Sequence, residues 1–199
     1  MKFLKYTMVC LIILLMAGCD VDNGTTPTEN YNAQELTELG WDRFGTKDYQ
    51  IALDKFEEAI SKDANYVEAY CGAGWASARL KNLANSISYF SSCISLNSSY
   101  EDGHAGSAFV YNAGKNYLSS ITSAISALDQ NTTWAFLHDE TLNYKDLHLL
   151  LAENYFALLN FNDCLTQVKI LNSSFTADIT TYDGRVALAA EIERLRGIV

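Results

Sequence analysis

A chain of 199 residues, 49% hydrophobic and 19% charged, holds one well-cored domain. Its single proline, Pro27, precedes all of the periodic sequence, so helices can run without interruption beyond it. Fourteen basic residues against 24 acidic ones give a net charge of -10, a balance that repels phosphate backbones and argues against nucleic acid as a partner.

Met1 to Gly18 has the three parts of an export signal: Lys2 and Lys5, the apolar run Met8 to Met16, and the small pair Ala17-Gly18 before Cys19. The apolar run is too short to span a bilayer. Leu15-Met16-Ala17-Gly18-Cys19 resembles the lipobox of bacterial lipoproteins, which implies cleavage before Cys19 and diacylation of its sulfur, with palmitate-type chains as the membrane anchor. Losing Lys2 and Lys5 from the 14 basic residues leaves 12 against 24 acidic, a net of -12. Asp20 resembles an inner-membrane retention signal of some envelopes, a rule other lineages do not obey, so the leaflet stays open. Asp20 to Asn32 is polar and aperiodic and reads as a flexible tether. The expected organisation is therefore a signal peptide over 1–18, a lipidated cysteine and tether over 19–32, and a helical domain over 33–199.

From Ala33 onwards the sequence repeats every 34 residues. Leu36, Leu39-Gly40, Tyr49, Ala52, Phe56 and Ala59 return as Tyr70, Ala73-Gly74, Leu83, Ser86, Phe90 and Cys93. They return again as His104, Ser107-Ala108, Tyr117, Ser120, Ala124 and Ala127. Gly40, Gly74 and Ala108 are small where two helices of a unit would meet closely, with Ala52, Ser86 and Ser120 small on the facing helix. Phe56 and Phe90 would fill the groove between units. Asp63, Asn97 and Asn131 recur with small polar neighbours, as expected where one helix stops and the next begins.

After about ten extra residues, Ala135 to Tyr144, a fourth unit follows: Leu151-Ala152, Tyr155, Phe161, Cys164, Val168 and Leu171. Asn172 comes early, so its second helix should be short. Tyr182 to Arg196 carries Val186, Ala189, Ile192 and Leu195 at three-to-four spacing, the pattern of a capping helix. This set of small and bulky positions resembles the tetratricopeptide repeat, over roughly Ala33 to Ser174. The resemblance implies an all-α, tetratricopeptide-type helical-hairpin solenoid of about four repeats plus a C-terminal capping helix.

Trp41, Trp75 and Phe109 are also spaced by 34, each following the small position. In the family that place lies on or near the concave face, so the resemblance makes these three the candidate partner-binding residues. Two readings stay open: a groove for a partner segment, or a ladder packed against a neighbouring helix or covered by the C-terminal region. The clamp with which chaperone-binding members hold an acidic chain terminus would fall on Thr37, Trp41, Gly72, Asp102 and Gly106. None matches, so no such grip is expected.

His104 stands at the large-residue position of its helix and is expected to pack. His138 with Asp139 and Glu140 lies in the extra segment, where a metal or acid-base role is weighed against the lack of a second histidine or a cysteine at ligand spacing. Cys71, Cys93 and Cys164 fall at small or apolar repeat positions and read as buried thiols, although export would permit oxidation of a pair. No nucleophile is accompanied by a base. Catalytic residues, metals and cofactors are therefore not expected. The expected function is a lipid-anchored, non-enzymatic protein-protein interaction scaffold of the bacterial cell envelope, facing the periplasm or the outside, with a protein partner of unknown identity. The alternative is a glycan- or small-ligand-binding envelope lipoprotein.

Overall fold

The computed structural model describes residues 30–199, so the leader, Cys19 and most of the tether lie outside the described residues. Within them the chain forms α1 (Ala33–Gly45), α2 (Tyr49–Lys62), α3 (Val67–Arg79), α4 (Leu83–Leu96), α5 (Glu101–Ala113), α6 (Tyr117–Gln130), α7 (Tyr144–Ala157), α8 (Phe161–Leu171) and α9 (Tyr182–Arg196). Helices pair in chain order into four hairpins, and α9 packs on α7 and α8 as the cap.

The turns inside the hairpins are written in the sequence. Lys47, Lys81 and Lys115 adopt left-handed φ of 66°, 62° and 59°, and Leu159 takes the same role in the fourth unit with φ 59°. The left-handed residue reverses the chain. Asn82, Asn116 and Asn160 then cap α4, α6 and α8, accepting from the backbone N–H groups of Asn85, Ser119 and Asp163. Between units, the side chains of Asp63, Asn97, Asn131 and Asn172 accept from the backbone N–H two residues on. The expected shortening of the fourth unit is found: α8 has 11 residues where α2, α4 and α6 have 14.

The first helices of the hairpins form an inner row, α1 on α3, α3 on α5 and α5 on α7, while each second helix packs against its own partner and the first helix of the next unit. Close approach depends on glycine. A Cβ on Gly40 would lie 2.5 Å from the Phe56 ring and one on Gly74 2.6 Å from the Phe90 ring. Gly72 and Gly106, from the following units, press on the same two rings. Each phenylalanine is thus held between a glycine of its own unit and one of the next, fully buried. Ser86 Oγ donates to the Gly74 carbonyl at 2.8 Å and Ser120 Oγ to that of Ala108 at 2.7 Å, so the small facing positions also tie the two helices together.

The third interface is built differently. Ala124 replaces the phenylalanine, and the leucine-rich face of α7 (Leu147, Leu150, Leu151) joins the same core. Beside it a buried polar chain crosses the interface. Asn112 Nδ2 donates to Asn154 Oδ1 at 2.6 Å, and Asn154 Nδ2 donates to Ser120 Oγ at 2.7 Å.

Candidate partner-binding groove

Because Trp41, Trp75 and Phe109 each follow the small position of α1, α3 and α5, they project from the inner row. Trp41 is only 8% exposed, Trp75 3%, and Phe109 is half-buried. The ladder packs in part against the neighbouring first helices, Trp41 on Glu68 of α3 and Trp75 on Phe109 of α5, and its remaining face is covered by a segment other than the C-terminal region. That cover is the extra segment between the third and fourth units.

That segment leaves α6 through Trp134 and returns at Tyr144 as a small closed hairpin. Phe136 N–H donates to the Leu142 carbonyl at 2.9 Å, Leu142 N–H to that of Asp139 at 2.9 Å, and Tyr144 N–H to that of Trp134 at 2.6 Å. Ala135 and Asn143 form an isolated antiparallel bridge. The hairpin alternates as an extended chain does: Phe136 points in, Leu137 is 81% exposed, and His138 points in.

The inward rings stack on the ladder. Phe136 lies 4.3 Å from Trp75 at an interplanar angle of 23°, and its centroid is 6.0 Å from that of Trp41. His138 lies face to face with Trp41, 3.6 Å away at 3°. Trp134 continues the surface beside Phe109 at 6.4 Å. The sequence placed Trp41, Trp75 and Phe109 on one face. The structure joins Trp75 to Phe109 at 6.2 Å and bridges Trp75 to Trp41 through Phe136.

Carboxylates hold the indoles. Trp41 Nε1 donates to Glu68 Oε1 at 3.0 Å, and Trp134 Nε1 donates to Asp102 Oδ1 at 2.6 Å. Burial pushes the Asp102 carboxyl up to about 6; the Trp134 hydrogen bond opposes this, and the neighbouring charges of Glu101 and Glu68 add to it. Burial likewise pushes the His138 imidazole down to about 4. Trp75 Nε1 is buried with no acceptor among the described residues. Asp139 forms an ion pair with Arg79 of α3, and its side chain also accepts from the Thr141 N–H and hydroxyl.

Next to the hairpin a cavity of about 230 Å³ opens between Leu142 and Trp75, Leu83, Phe109 and Val110. A second, about 290 Å³, is polar and lies among Lys47, Tyr49, Arg79, His138, Asp139 and Thr141. Two of the three residues weighed for acid-base or metal chemistry are therefore engaged otherwise, His138 in stacking and Asp139 in the ion pair. Among the described residues no group of three His, Cys, Asp or Glu side chains converges on one point. Cys71, Cys93 and Cys164 are buried free thiols, and burial pushes Cys164 up to about 12. His104 differs from expectation: its ring is half-exposed and bonds the Ser98 carbonyl at 2.9 Å. Leu36, at the equivalent position, is fully buried.

Glu68, Arg79, Trp134 and Phe136 were not singled out from the sequence, and Asp102 was noted only as a clamp position that does not match. The apolar run Trp134 to Leu137 at the start of the insertion was the available signal.

No family model matches the sequence, and no curated protein matches it. Solved structures do. MamA is similar at a TM-score of 0.59 with 13% identity, over 83% of this chain and 81% of that one. TTC0263, a thermophilic TPR protein of Thermus thermophilus, is similar at 0.57 with 17% identity, over 81% of each chain. The fold is a tetratricopeptide array. The first TPR of Spaghetti (RPAP3), bound to the HSP90 peptide SRMEEVD, is similar at 0.56 with 19% identity, over 64% of this chain and 93% of that one. At these identities the likeness concerns the fold alone. In the present tetratricopeptide array the clamp positions are otherwise engaged. Thr37 Oγ1 donates to its own helix backbone at Ala33, Trp41 is stacked, Gly72 and Gly106 hold phenylalanine rings, and Asp102 accepts from Trp134.

Proposed function

We propose that this chain is a lipid-anchored protein-protein interaction scaffold of the bacterial cell envelope, docking a segment of a partner protein on the inner helical row. One observation carries the reading. Besides Phe56 and Phe90, the repeats carry Trp41, Trp75 and Phe109 along the inner face, and a short non-repeat segment lies over the two tryptophans. Large aromatic side chains in well-packed pockets are the usual anchors of recognition. Cys19, ahead of a thirteen-residue polar tether, supports attachment to a membrane on the periplasmic or outer face. The role is binding without catalysis, and a glycan would need the same indole faces that Phe136 and His138 occupy.

A photo-crosslinking residue at Leu137, on the inner rim, should capture a specific envelope protein in intact cells. The same residue at Ser91, exposed on the outer helix α4, should not. Equal capture from both positions would refute the inner-face site. Labelling with a fatty-acid analogue should be lost in Cys19→Ser, and retained label would refute the anchor.

A further inference from the structure

The hairpin Ala135 to Asn143 is attached to the array in an unusual way. Its ends meet through the Tyr144 to Trp134 hydrogen bond, so lifting it leaves the succession of repeats unbroken. Of its nine residues only Phe136 is fully buried, while Ala135, Leu137, Glu140 and Thr141 are exposed. One anchoring ring, one stacked ring and one ion pair hold its tip to Trp75, Trp41 and Arg79 of α1 and α3, while Leu142 packs on the core and Asn143 caps α7. The receptor surface is thus part of the repeats, and the hairpin occupies it.

We propose that the hairpin is a built-in stand-in for the partner: the inner face takes an extended protein segment with an aromatic residue, a planar residue two positions on and an acid next to it, and that segment displaces the hairpin. This rests on the scaffold reading above and adds the kind of segment recognised. The pattern is read from the occupant itself, Phe136-Leu137-His138-Asp139, with Phe136 on Trp75, His138 on Trp41 and Asp139 on Arg79. An incoming chain gains one bond the hairpin does not make. Trp75 Nε1 lies buried beside Phe136 without an acceptor, and an oxygen of the displacing segment would satisfy it. The adjoining apolar cavity at Leu83 and Phe109 gives room for one further side chain.

The test is the full chain with Ala135 to Leu142 replaced by Gly-Gly, which the closed base of the hairpin permits and which keeps Asn143 as the cap of α7. A fluorescent peptide of residues 134–144 should bind this protein saturably, at least about tenfold more tightly than it binds the intact chain, whose site is filled. Phe136→Ala in the peptide should abolish binding. A helical, folded shortened protein that ignores the peptide would overturn the proposal. Should that variant fail to fold, hydrogen exchange on the intact chain decides: the Phe136 and Leu142 amides should exchange through a local opening while α3 and α5 stay protected. Exchange of those amides only on global unfolding would make the hairpin permanent core and overturn the proposal. Capture of a partner from Leu137 alongside a failed peptide test would leave the scaffold role standing and remove only the stand-in.

Discussion

Replacing Asp102 by asparagine should stabilise this protein at neutral pH, against the usual direction for a mostly buried polar position. The carboxyl accepts from Trp134 where the hairpin leaves the array, yet burial holds its pKa near 6 instead of 3.8, with Glu101 and Glu68 adding repulsion. A raised carboxyl pKa means that the folded state binds the proton more tightly than the unfolded one. The penalty is therefore absent below 3.8, where both states are protonated, grows as pH rises, and is complete above about 6. About two pK units correspond to ~3 kcal/mol, which residual solvent contact reduces to roughly 1–2 kcal/mol. Asparagine keeps an oxygen for Trp134 Nε1 and carries no charge, so that amount should appear as added stability. Urea unfolding followed by circular dichroism, at about pH 8 and about pH 3.5, measures it. A gain at the higher pH that vanishes at the lower one is the expected result. Destabilisation at about pH 8, or the same change at both, would show that Asp102 is not a strained charge.

Gly106→Ala should cost about 1–3 kcal/mol, since the Phe90 ring is already pressed by Gly74 and has nowhere to retreat. Combining it with Phe90→Leu should cost less than the sum of the two single changes, which thermal unfolding of the cycle reads directly. Asn154→Ala should cost about 2 kcal/mol in urea titration by leaving Ser120 and Asn112 without their shared partner; adding Ser120→Ala should cost more, because it also removes the bond to the Ala108 carbonyl. Lys47, Lys81 and Lys115 hold left-handed φ, so each change to glycine should raise stability by about 0.5–1 kcal/mol, read as a higher melting temperature.

The fold was legible because its determinants recur. Gly40, Gly74, Phe56 and Phe90 stand 34 apart in pairs, and each meets the partner its size implies. The asparagine-type stops at Asp63, Asn97 and Asn131 act locally, through a side chain reaching two residues on, so their effect is contained in the sequence. Even the short α8 and the cap Tyr182–Arg196 were marked by an early Asn172 and a three-to-four apolar period. The site was legible only in part. Spacing put Trp41, Trp75 and Phe109 on one face, but their cover depends on contacts that no local pattern encodes. Asp139 reaches Arg79 across 60 positions, and Phe136 reaches Trp75 across a similar span. A segment without a period gives no hint of the surface it will meet, so His138 and Asp139 looked like candidates for chemistry when they are attachments.

His138 reports most directly on whether the hairpin lies on the ladder. Its ring is stacked 3.6 Å from Trp41, and burial lowers its pKa from 6.5 to about 4. Its contribution to stability is complete above 6.5 and is lost as pH falls towards 4, because the unfolded chain takes up the proton first. An NMR titration of the His138 ring in the intact chain should therefore show a midpoint near 4. A midpoint at 6.5 would mean a solvated imidazole and an uncovered Trp41, contradicting the occupied groove.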